Sequence, residues 1–164
     1  MDVKVSYRVR SNKQALIAQI LPKVMLQLEG AIQKRVDLYV TDLERHMGGI
    51  HGGSAYSDGK VKWDALDDTQ LKEAPRFWIE SGRAKRSVSV NMKVEGNSIQ
   101  AFVGVSEGAD GYQEVLWNEL GFTPANGDKL IRRPLFIPLA EVHKKELEGE
   151  LRTMLQSGSI QVEI

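Results

Sequence analysis

The chain has 164 residues and a formal net charge of zero, from 22 Lys and Arg against 22 Asp and Glu. That length suits one domain with its own core, and the charge balance lacks the basic excess of a dedicated duplex-DNA binder. A composition of 41% hydrophobic and 27% charged residues excludes global disorder, and the absence of cysteine excludes disulfide frameworks, thiol catalysis, iron–sulfur clusters and Cys-ligated zinc.

No apolar run reaches the length of a membrane span, and Met1-Asp2-Val3-Lys4-Val5 alternates where a signal peptide would be apolar. The expected compartment is the cytoplasm of the cell that makes the protein, with no membrane partner. Val3, Val5, Tyr7 and Val9 alternate with polar residues, which predicts a half-buried strand. Ser11 and Gln14 then have the spacing of a capping box. Ile17, Leu21, Val24, Leu28, Ile32, Val36, Tyr39, Leu43 and Met47 follow in steps of three and four, predicting one long helix that Gly48-Gly49 stops. Pro22 falls inside it, so a kink or a break is expected there.

Gly48 to Lys60 carries five glycines and reads as a flexible surface loop. Val61 to Trp63 resumes apolar content, and a short helix is expected from Asp68 toward Trp78. Val88, Val90, Met92 and Val94, then Ile99, Ala101, Val103 and Val105, alternate on either side of Gly96-Asn97, which predicts a two-residue hairpin. Tyr112 to Leu120 predicts a short helix stopped by Gly121. A last helix is expected from Pro134 through Leu155, with Pro138 near its first turn, and Ile160 to Ile164 alternates as a terminal strand. With no internal repeat and no linker, residues 1–164 read as one α+β domain, a long N-terminal helix and a C-terminal helix packed on a small antiparallel sheet.

Motifs of chemistry are sparse. His46, His51 and His143 stand in no His-Glu-x-x-His arrangement and read as surface histidines, so no metal site is expected. The glycine loop is followed by no Gly-Lys-Ser or Gly-Lys-Thr, and no Gly-x-Ser-x-Gly elbow accompanies His51-Gly52-Gly53. Neither a cofactor nor a catalytic group is therefore assigned. Asp64, Asp67 and Asp68 are placed near a helix start, and Glu141, Glu146, Glu148 and Glu150 read as a solvated face of the last helix. Arg83, Lys85, Arg86, Arg132 and Arg133 form two modest basic groups, suited to solubility, salt bridges or phosphate. From Gly96 onward there are 6 basic and 10 acidic residues, against 9 and 6 over residues 1–60, an asymmetry that favours head-to-tail contacts between copies.

Several segments, in order, resemble the tail-completion (minor tail component) family of long-tailed bacteriophages. Trp63-Asp64-Ala65-Leu66 with Thr69 resembles that family's Trp-x-x-Leu-x-x-x-Thr segment. Ser81-Gly82-Arg83-Ala84-Lys85-Arg86-Ser87-Val88 resembles its Thr-Gly-x-Leu-x-x-Ser-Ile, with Ala84 in place of the family's apolar residue. Val103-Gly104-Val105 resembles the end of its second hairpin strand. Tyr112 with Asn118-Glu119-Leu120-Gly121 resembles its Tyr-Ala-x-x-x-Glu-x-Gly, at a spacing two residues longer. Arg132-Arg133-Pro134-Leu135-Phe136-Ile137-Pro138-Leu139-Ala140 resembles its Arg-Pro-Phe-Leu-x-x-Ala. The terminal strand has no counterpart.

The resemblance implies a structural virion protein of the head–tail junction rather than an enzyme. Its partners would be other neck and tail proteins, namely the tail terminator and the head-closure protein. It would self-associate into a ring, touch DNA in the lumen only weakly, and pass through the host cytoplasm during assembly. Candidate interface residues are Arg83, Arg86, Trp117, Glu119, Arg132 and Arg133, and the candidate mobile loop holds Gly49, His51, Gly52, Gly53 and Tyr56. Arg133, held extended before Pro134, is within reach of a carboxylate such as Glu119, in the same copy or a neighbouring one. Trp63, Trp78 and Trp117 read as core or core-edge, any exposed one being an interface anchor. The alternatives are a tail terminator, a small hydrolase built on the His51 loop, and a nucleic-acid-binding module on the arginines.

Overall fold

A computed structural model describes residues 2–6, 14–48, 54–67, 82–96, 98–123 and 130–156. Strand β1 (Asp2–Ser6) leads to helix α1 (Gln14–Gly48), which is 35 residues long. Pro22 does not break α1. It removes one N–H from the ladder, and the apolar face that follows holds the helix by packing: Val24, Leu28, Ile32, Val36, Tyr39, Leu43 and Met47 are all buried.

The predicted hairpin is present as β4 (Val88–Glu95) and β5 (Ser98–Val105), in unbroken register from Val88↔Val105 to Glu95↔Ser98. Gly96 takes the positive φ of 57° that the tight turn needs. β1 pairs antiparallel with the other side of β5, with Val3 opposite Ala101, so the sheet order is β1-β5-β4. Ile99, Ala101 and Val103 of β5 form the floor of the core, and the helices cover this one face of the sheet. The alternation that predicted the strands is the burial pattern of β5.

The end of the expected glycine loop contributes to a hairpin. Tyr56–Ser57 (β2) pairs antiparallel with Lys62–Trp63 (β3) in a second small sheet. Asp58 makes the turn, its Oδ1 accepting the backbone N–H of Lys60 at 3.0 Å and of Val61 at 2.9 Å. Four-residue helix α2 (Arg83–Arg86) precedes β4. Helix α3 (Tyr112–Leu120) has the predicted bounds, and Gly121 follows it at φ 91°. A bridge between Phe122 and Ile131 brings the chain back alongside α3. Helix α4 (Phe136–Gln156) starts two residues after the predicted Pro134 and packs along α1.

The architecture is α+β, as expected, with the two long helices over a small antiparallel sheet. The expected helix from Asp68 to Trp78, the Ser11 cap and the strand Ile160–Ile164 lie outside the described residues. Among the described residues no helix is long and apolar enough to cross a membrane.

Candidate functional site

Three of the five segments that carry the sequence resemblance meet at the start of α4. Leu135 immediately precedes that helix and has no side-chain oxygen to accept its first N–H groups. Glu119 of α3 supplies the cap instead. Its Oε1 accepts the N–H of Leu135 and of Phe136, each at 2.5 Å, and its Oε2 that of Ile137 at 3.2 Å. Burial pushes the Glu119 carboxyl above its ordinary range, against the lowering effect of those three N–H groups and the Arg132 charge. Arg132 Nε donates to the Glu119 carbonyl at 2.6 Å, and the Arg133 N–H donates to the Asn118 carbonyl at 3.0 Å. The predicted meeting of Arg133 and Glu119 is thus realised differently. The Glu119 carboxylate is spent on backbone N–H groups, while the Arg133 guanidinium lies over the Trp63 ring at 5.4 Å and donates to the Ser54 carbonyl at 3.3 Å. Burial lowers the Arg133 pKa, and the nearby Asp64 charge acts the other way.

Trp63 is core, as read from the sequence. Its Nε1 donates to the Pro134 carbonyl at 2.8 Å, tying β3 to the start of α4. Tyr56 stacks on Trp63 at 5.3 Å and meets His46 edge-on at 5.9 Å. Tyr56 therefore belongs to a packed hairpin and not to a mobile loop. Gly49, His51, Gly52 and Gly53 lie outside the described residues. A groove of about 560 Å³ opens beside this hairpin, lined by Lys62, Asp64, Asp67, Leu130 and Arg132 around Trp63.

The other candidate interface residues divide into two kinds. Arg83 Nε donates to Glu114 Oε1 at 2.7 Å, which ties α2 to α3 within the chain. Arg86 is exposed. Trp117 is 44% exposed beside Phe122, with ring centroids 6.4 Å apart, and Leu120 and Leu130 are more exposed still. Gly121 lets Leu130 close against the end of α3, because a Cβ there would stand 2.9 Å from Leu130 Cγ. Trp117, Leu120 and Leu130 thus form an apolar strip next to Arg132, outside the Glu119 cap.

Two of the three histidines are not the surface groups the sequence suggests. His46 and His143 are 2% and 0% exposed. His46 Nδ1 lies 2.6 Å from the Asp42 carbonyl and its Nε2 2.8 Å from Asp58 Oδ2. His143 Nε2 lies 2.9 Å from Asp42 Oδ2, which Lys60 also reaches. Burial pushes the Asp42 carboxyl up, but hydrogen bonds from Lys60 and His143 and the charges of Lys60 and Arg45 hold it below its ordinary value. Asp58 is held well below the carboxylate range, its burial outweighed by two backbone N–H groups and His46.

Further along the same helix pair, the buried Arg35 grips Glu146 and Glu150, so the acidic face of α4 is partly an interhelical clamp. These bonds join α1, α4 and the β2–β3 hairpin. Among the described residues no group of three His, Asp or Glu is arranged to hold a metal ion. Arg35, Asp42, Asp58 and Lys60 do not stand out in the sequence as residues of this cluster. The available signal was on α1, where Arg35, Asp42 and His46 each precede a residue of the apolar stripe and so share its buried side.

No family model matches the chain, and no match is found among curated proteins or solved structures.

Proposed function

We propose that this chain is a structural protein of the phage head–tail junction, completing the end of a tail for attachment to a head. The observation that carries the proposal is where three of the five resembling segments fall. Trp63, Asn118-Glu119 and Arg132-Arg133-Pro134 come from three separate stretches and lock onto one another at the start of α4. Their polar groups serve as fasteners, and the surface just outside them is the apolar strip of Trp117, Leu120 and Leu130. A rigid mount beneath an exposed Trp and Leu surface suits docking to protein, as a neck component requires.

In this reading the protein acts by shape and charge. Copies meet head to tail and close into a ring, the Trp117 strip and Arg132 facing a neighbour, and the terminator and head-closure proteins cover the two ends. Electron microscopy of particles assembled without the gene tests this. Filled heads beside separate, full-length tails are expected. Overlong tails would assign the terminator role instead, and normal joined particles would remove the proposal.

A further inference from the structure

The outer strand of the main sheet is half covered. Val88, Val90, Met92 and Val94 of β4 stand opposite Val105, Val103, Ala101 and Ile99 of β5. Ile99 and Val103 are each 1% exposed under the helices, whereas Val94 and Val90 across from them are 46% and 47% exposed. Among the described residues, the far edge of β4 has no partner strand. Among the devices that blunt natural edges are proline, a bulge and a charge pointing toward the core. β4 has none of these. Its ladder is regular from end to end, and Lys93 and Glu95 lie on the opposite face, paired with each other.

The hairpin decides which backbone groups are free. Glu95 and Ser98 close a two-residue turn and so form a hydrogen-bonded pair. Alternation then directs the N–H and C=O groups of Ser89, Asn91 and Lys93 toward β5, and those of Val88, Val90, Met92 and Val94 outward. The free backbone groups and the exposed apolar side chains belong to the same residues.

We propose that β4 is a self-association edge, at which two copies of this chain pair their β4 strands antiparallel about a two-fold axis at Asn91. That register sets Val88 against Val94 of the partner subunit and Val90 against the partner's Met92, burying every apolar residue of the strand. Charge selects a second copy as the occupant. β4 begins just after the basic α2, where Lys85 and Arg86 are exposed, and it ends at Glu95. Antiparallel pairing brings Glu95 of each copy opposite Ser87 of the other, beside that basic helix, and does so twice. Lys93 falls opposite Ser89. A pairing centred on Lys93 would oppose two lysines, and one centred on Met92 would draw Glu95 away from α2. The proposal is independent of the virion reading: a two-fold pair closes on itself.

Sedimentation velocity of the full chain over a concentration series tests it, with Val90→Lys and Val94→Lys as variants. A monomer–dimer equilibrium is expected, and either lysine should weaken it at least about tenfold while circular dichroism and the melting of the monomer stay as in the wild type. Because the chain has no cysteine, Asn91→Cys places a single thiol in each copy. At a non-hydrogen-bonded two-fold centre the Cα atoms stand about 4.5 Å apart, within disulfide reach. Mild oxidation should therefore give a covalent dimer with wild-type circular dichroism, while Glu141→Cys on α4 stays unlinked. A chain that remains monomeric throughout, a dimer indifferent to Val90→Lys, or association beyond two copies through this edge would each overturn the proposal.

Discussion

The Glu119 carboxylate accepts the backbone N–H of Phe136 at 2.5 Å, so one helix is capped by a residue of another. The arrangement fixes the angle at which α4 leaves the Trp63 hairpin, because Pro134, one residue before Leu135, is held by the Trp63 indole. Removing the carboxylate leaves three N–H groups at the helix start without their acceptor. Glu119→Ala is expected to cost about 2–4 kcal/mol. Glu119→Gln, which keeps one acceptor oxygen, should cost less. Urea denaturation measures both, and a Glu119→Ala loss within about 0.5 kcal/mol of wild type would contradict the capping role.

The Asp42 and Asp58 carboxyls are both held below their unfolded values. Over the range between the folded and unfolded pKa values, the unfolded chain binds more protons than the folded one, so stability rises with pH there. Their contribution is complete above the ordinary carboxylate range of about 4 and is lost as the pH falls through the folded values. Glu119, whose pKa is raised, acts with the opposite sign and offsets part of this loss. The urea midpoint should therefore fall on acidification from about pH 6 to pH 3, and Asp58→Asn should flatten that fall while lowering stability at neutral pH. An Asp58→Asn protein with the wild-type acid profile would exclude this assignment.

Arg35 is the buried member of a triad whose two glutamates remain partly in water. Truncation to Ala removes both its charge and the stem that packs between α1 and α4, and a loss of about 2–3 kcal/mol is expected. Arg35→Met retains the stem and should recover at least half of that loss, because the glutamates it leaves behind can hydrate. Thermal melts of the two variants separate packing from charge.

Two glycines should respond in opposite directions to alanine. Gly30 sits inside α1, and a Cβ there meets nothing within 4 Å. Gly30→Ala should stabilise the protein by about 0.5–1 kcal/mol through helix propensity. Gly111 lies against the backbone of α2, where a Cβ would come within 2.5 Å of Ala84 Cα and N. Gly111→Ala should destabilise by more than about 2 kcal/mol, read as a lowered melting temperature, because backbone must move to admit it.

Local order was the part of the fold legible in the sequence. The β4–β5 hairpin could be read because its period-two alternation and its Gly96 turn are both short-range signals. The same holds for α3, which Gly121 ends at positive φ. The β2–β3 hairpin was hidden by glycine-rich flanks, although Asp58-Gly59 between Tyr56 and Trp63 was its signal. The Glu119 cap and the His46–Asp58 and His143–Asp42 bonds were not legible. Each joins residues far apart in the chain, and no spacing rule encodes which loop a helix end will meet. The arginines misled for a related reason. Basic character suggested partners outside the chain, whereas Arg83 and Arg133 make their described bonds within it.

Restoring the missing joint from separated parts tests the proposed role most directly. Filled heads and free tails from particles made without the gene would be mixed with the purified protein, and joined particles counted by electron microscopy and by infectivity. The junction reading predicts that joined, infectious particles form in proportion to the protein added, and that Trp117→Ala with Leu120→Ser abolishes this while leaving circular dichroism unchanged. Heads and tails that join equally well without the protein would contradict it.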